Sequence, residues 1–164
     1  MSSNNNFKEN YDIILNESIK YIEKNNILTI ATANENGIPR ADALEYASEG
    51  INIVILSRKN SWKVSNIRTN SRVFYEIHHS QEINIESLKG IIGIQVEATA
   101  EIIEYSDENF MRYFNLMIKK FPIFKKFPEN ALKKRVILLL KPKKLWLLNY
   151  TNKFFHRDYI QFEN

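Results

Sequence analysis

The chain has 164 residues, 26% of them charged and 44% apolar, with a net charge of +4; this suits one soluble domain with a real core. It contains no cysteine, which excludes disulfides and thiolate ligands, and no apolar run near the roughly 20 residues that span a bilayer. The opening MSSNNNFKEN lacks a basic start followed by an apolar stretch, so no secretory signal is read and a cytoplasmic location is expected.

Residues 6–26 carry Tyr11, Ile14, Leu15, Ile19 and Ile22 at helical spacing, with Asn25 and Asn26 as terminators. ILTIATA at 27–33 predicts a strand, Asn36-Gly37 a tight turn, and IPRADALEYA at 38–47 the returning strand. A turn at 48–50 leads to a third strand at 51–57. A short helix over 61–69 buries Val64 and Ile67, and SRVFYEIH at 71–78 is the fourth strand. After a polar connection at 79–88, residues 89–105 alternate as one long strand, with Ile92, Ile94, Val96, Ala98, Ala100 and Ile102 on its apolar face. Ser106-Asp107-Glu108 predicts the start of a second amphipathic helix, whose aromatic stripe (Phe110, Tyr113, Phe114, Phe121) reads as core. Residues 135–150 form a strand pair or one bent strand with Pro142 at the bend or edge. About six strands joined mainly by hairpins predict a mainly β, antiparallel barrel rather than a βαβ fold. The division expected is one domain over 1–164: a helix at 1–26, the barrel at 27–150, and a tail at 151–164.

The most informative stretch is the corner after the third strand, where Ser57, Arg58, Lys59, Ser61 and Lys63 crowd a helix start. Unpaired N–H groups and the positive end of the helix dipole favour an anion there, and hydroxyls and cations beside them suggest a phosphate. Other chemistries have little support. His78, His79 and His156 lack metal-ligand spacing, so no metal is expected. No nucleophile elbow, dinucleotide fingerprint or P-loop is present. Residues 112–144 hold eleven Lys or Arg against one acid, Glu129. That segment reads as a solvated face rather than a nucleic-acid surface, because no binding motif accompanies it.

Three stretches in this order resemble the pyridoxamine 5′-phosphate oxidase-like family of FMN-binding split β-barrels. They are LTIATANENGIPRADALEY, ILSRKNSWKVSNIRTNSRVFYEI and GIIGIQVEATAEII. The resemblance covers about 27–150 and implies an antiparallel split barrel, a homodimer, and FMN at the subunit interface. It implies that Ser61 and Lys63 hold the phosphate with Arg58 and Arg40 near, and that Ser57 reaches the phosphate or ribityl chain. Trp62 would pack over the site or anchor the short helix, and Gln95 would approach the flavin from the partner subunit. The tail, FFHRD included, departs from the tryptophan- and arginine-bearing end of the true oxidase, which leaves pyridoxal phosphate as substrate unsupported. The expectation is an FMN-dependent oxidoreductase acting on a small molecule, with no catalytic side chain assigned; His156 is the candidate acid or base by its titration range alone. A flavin or haem carrier and a deazaflavin-dependent reductase of the same fold are the alternatives.

Overall fold

The computed structural model describes residues 2–78, 86–87, 90–151 and 155–162. Most of the connection at 79–88, together with His79 and Phe154, lies outside the described residues. In chain order the elements are α1 (Ser2–Lys24), β1 (Ile27–Ala33), β2 (Pro39–Glu45), β3 (Ala47–Glu49), β4 (Asn52–Arg58), α2 (Trp62–Thr69) and β5 (Arg72–His78). There follow β6 (Ile92–Glu104), α3 (Phe110–Lys120), a 3-10 turn at Pro122–Lys126, α4 (Glu129–Leu132), β7 (Arg135–Asn149) and β8 (Arg157–Gln161).

All strands pair antiparallel in one sheet ordered β2-β1-β5-β6-β7-β4-β3, with β8 added on β7. The two ends of that order, β2 and β3, are consecutive in the chain and separated only by the buried Tyr46. The sheet must therefore curl back on itself, which makes the architecture a mainly β, antiparallel split barrel with flanking helices. Inside lie Leu28, Ile30, Tyr75, Val96, Leu138 and Leu145, with Ile14 and Ile22 of α1 packed against them. A second cluster forms where α3 lays Phe110, Phe114 and Met117 on Val54, Ile103, Ile137 and Leu139. The aromatic stripe of α3 is thus core. The run VILLL in β7 is buried on both faces, as a strand between two apolar layers must be.

In β7 the inward residues are Val136, Leu138 and Leu140, then Leu145 and Leu147. The parity changes because Glu97 faces Lys144 while Ala98 faces Pro142, leaving Lys143 as the extra residue of a bulge. Pro142, expected at a bend or edge, is accommodated there in the middle of one continuous 15-residue strand.

Several local expectations shift. At the first hairpin Asn36 does not adopt positive φ; Gly37 does, at 76°. The Gly37 N–H donates to the Asn34 carbonyl, and the Asn34 side chain accepts from the N–H groups of Asn36 and Ile38. The turn therefore centres on Glu35-Asn36 rather than on an Asn-Gly pair. Residues 47–49, placed partly in a turn by sequence, form β3. The helix expected from residue 106 begins at Phe110, because the Asp107 carboxylate takes the Asn109 N–H and holds a turn before it. The tail supplies an eighth strand, and the exposed Phe155 lies against Tyr150.

Candidate functional site

Strand β4 delivers Ser57 to the barrel mouth, buried and in register with Val136. The chain turns at once: the Ser61 N–H donates to the Arg58 carbonyl at 3.1 Å, and α2 begins at Trp62. Ser61 occupies the N-cap in extended conformation (φ −81°, ψ 152°), yet its hydroxyl does not cap the helix. It lies 3.1 Å from the Ser57 hydroxyl instead. The first-turn N–H groups of α2 are therefore left for an incoming acceptor.

What holds α2 in place is local and buried. Val64 and Ile67 enter the barrel core, and the Asn66 side-chain amide donates to the Thr32 hydroxyl of β1 at 3.0 Å. The helix start is thereby fixed against β1 and β2. Arg40 and Asp42 stand two residues apart on β2, opposite Thr32 and Ile30, on the face turned to the barrel interior. Lys63, only 12% exposed along its side chain, brings its ammonium 3.6 Å from Asp42 Oδ1. Arg40 Nε is 3.5 Å from Asp42 Oδ2.

These residues share a cleft of about 330 Å³ lined by Arg40, Asp42, Arg58, Asn60, Ser61, Trp62 and Lys63. Five of the seven residues expected at the site are thus brought together, and Ser57 touches the cleft through Ser61. Trp62 is 71% exposed, so it lies over the cleft rather than anchoring the helix. Gln95 is not in it: it sits between Glu76 and Trp146 on the opposite face of the sheet. Sequence reasoning did not single out Asp42 or Asn60; Asp42 was accessible from strand alternation, two positions after Arg40.

The cleft's charge is legible. Three cations face one carboxylate, which leaves two positive charges in excess, matching a phosphate monoester of about −1.5 to −2. Asp42 Oδ2 is buried without a hydrogen-bond donor. At the base of α2, Glu104 accepts from Arg68 at 2.6 Å and faces Lys59 at 2.9 Å. Those hydrogen bonds, from Arg68 first and then Lys59, hold its carboxyl below the ordinary glutamate range.

A larger cleft of about 650 Å³ opens at the end of β1, against Ala31, Thr32, Arg72, Phe74, Glu97 and Lys143. Beside it the rings of Phe74 and Trp146 meet tilted at 6.3 Å between centroids, and those of Trp146 and Tyr159 at 5.5 Å. Both Phe74 and Tyr159 are exposed. His156 lies 2.9 Å from Asp158 on the tail, away from the lining of either cleft. Among the described residues no group of three metal-ligating side chains converges, and no helix is long and apolar enough to cross a membrane.

Residues 15–149 match the family described as Pyridoxamine 5′-phosphate oxidase. No curated protein matches the sequence closely enough to count as a relative. Among solved structures, a haem-binding protein from Mycobacterium smegmatis is similar at 13% identity and TM-score 0.70, covering 88% of this chain. This chain spans only 57% of that protein's length. A candidate pyridoxamine 5′-phosphate oxidase from Listeria innocua is similar at 17% identity and TM-score 0.66, covering 83% of this chain and 98% of its own. The haem storage protein HutZ from Vibrio cholerae is similar at 16% identity and TM-score 0.65, covering 80% and 94%. At these identities the likeness concerns the fold.

Proposed function

We propose that this chain, which belongs to the pyridoxamine 5′-phosphate oxidase family over residues 15–149, binds FMN and acts as a cytoplasmic flavin-dependent oxidoreductase on a small molecule. The observation that carries the reading is the cleft where Arg40, Arg58, Ser61 and Lys63 meet the uncapped start of α2. Lys63 and the helix N–H groups would hold the phosphate, Arg40 and Arg58 would offset its second charge, and Ser57 and Ser61 would donate hydroxyls. The exposed Trp62 would cover the bound group. When bound, the flavin supplies the redox chemistry, and the protein's part is binding, orientation and exclusion of water.

The same reading takes a second copy of the chain as partner. Gln95 lies beside the Phe74–Trp146–Tyr159 cluster, two of whose rings are exposed, so it would reach a cofactor held across an interface on that face. The absorbance spectrum and the mass of the copurifying small molecule test the proposal. Bands near about 370 and 450 nm support it, and a protein that neither carries nor takes up flavin overturns it. A Soret band would favour the second reading, a haem carrier, for which the named binding roles of two similar solved structures are the support.

A further inference from the structure

In the β4–β7 pairing Arg58 stands directly opposite Arg135. Cross-strand partners project on the same face with Cβ atoms roughly 4.5–5.5 Å apart, and like charges so placed destabilise a sheet. Arg135 is not free to relieve this, because its guanidinium is partly buried and packed 4.5 Å over the Phe127 ring. Burial, and then Arg58, hold that guanidinium below its ordinary range.

The pair lines a groove of about 530 Å³ with Lys59, Lys133 and Lys134, and no carboxylate lines it. The volume lies within the roughly 300–1,000 Å³ range of small-molecule sites. Lys59 is drawn off by Glu104 and Lys133 by Glu129, each at 2.9 Å. Among the described residues no acidic partner answers Arg58, Lys134 or Arg135. The rim is set, since the Lys59 N–H donates to the Lys134 carbonyl at 3.0 Å. Arg58 and Asn60 line both this groove and the phosphate cleft, so the two are contiguous.

We propose that this groove is a second anion subsite, in which Arg58, Lys134 and Arg135 take a phosphate- or carboxylate-class group next to the one in the first cleft. The proposal goes beyond the flavin reading and does not need it. The anion belongs either to the same molecule as the first phosphate or to a separate small ligand.

Calorimetric titration of the purified protein with inorganic tripolyphosphate at fixed ionic strength tests the subsite. Binding at one site per chain is expected, weakened about tenfold in Arg135→Gln and in Lys134→Gln. Lys141→Gln, which removes the same charge elsewhere on β7, leaves it unchanged. Tripolyphosphate also raises the melting temperature of the wild type more than that of Arg135→Gln. Equal binding in wild type, Arg135→Gln and Lys134→Gln overturns the proposal, as does equal weakening in Lys141→Gln. The source is read on FMN-loaded protein. Retained tripolyphosphate binding marks a separate anion. Competition, together with tighter binding of FAD than FMN that Arg135→Gln abolishes, marks a bis-anionic ligand. Arg135-dependent tripolyphosphate binding with no flavin uptake would reject the flavin reading and leave the subsite standing.

Discussion

The ammonium of Lys63 stands 3.6 Å from one carboxylate oxygen of Asp42, while the other oxygen lies 3.5 Å from the Nε of Arg40. One acid is therefore shared between the two cations best placed to receive a phosphate. Both contacts are longer than hydrogen bonds, so the carboxylate holds the cations in place without saturating them. A phosphate entering the cleft meets Asp42 as a like charge. Asp42→Asn keeps the shape and removes that repulsion. FMN affinity, read by quenching of flavin fluorescence, should rise about tenfold, one near-surface charge interaction discounted for solvent. A lower affinity would show that Asp42's hold on Lys63 and Arg40 outweighs its repulsion of the phosphate.

Lys63→Ala should do the opposite and more strongly. Its side chain is largely shielded from water, and charge-assisted hydrogen bonds contribute about 1.5–3 kcal/mol. FMN affinity should fall by one to two orders of magnitude with the fold retained, because Val64 and Asn66 still anchor α2. Ser61→Ala should cost less, since that hydroxyl is shared with Ser57. Unchanged occupancy in both variants would remove the phosphate from this cleft.

How far these features are legible in the sequence follows from how local they are. The strand at 27–33 coincides with β1, and the α2 cluster of Ser61 and Lys63 is read from adjacent residues. Strand β3 is three residues long and exists because β4 pairs with it. Strand β8 depends on a partner in β7 whose register no short-range pattern encodes. At the site, Lys63 is legible in the cation cluster after the third strand, while Arg40 enters only through the family resemblance. The Asn66–Thr32 bond, which aims the helix, spans 34 positions. The opposition of Arg58 and Arg135 likewise needs the β4–β7 register.

Glu104 makes the footing of α2 sensitive to acid. It joins the end of β6 to Lys59 just before the helix and to Arg68 in its last turn. Its carboxyl is depressed in the folded protein. The stabilisation is therefore full at neutral pH and is lost as pH drops below about 4.3 and through the lower folded value. The group is one-third exposed, so Glu104→Gln should cost only about 1 kcal/mol at pH 7 in urea unfolding. At pH 3 the difference between the two proteins should be smaller than at pH 7. A constant difference at both pH values would assign the effect to packing instead of charge.

The aromatic cluster of the half-buried Trp146 with the exposed Phe74 and Tyr159 carries the last prediction. α3 covers the sheet's outer face where Val54, Ile103, Ile137 and Leu139 lie. Among the described residues no helix packs on it around Gln95, and aromatic side chains are exposed beside Ala31 of β1. An exposed aromatic patch of this kind suits a two-fold contact between identical chains. Trp146→Glu places a charge at its centre without entering the barrel core, because Leu145 and Leu147 are the inward neighbours. Light scattering should show a dimer for the wild type and a monomer for the variant. If the cofactor is held across that contact, flavin occupancy falls with the dimer although the phosphate cleft is untouched. A monomeric variant that keeps full occupancy would place the whole flavin site within one chain and leave Gln95 without a role in it.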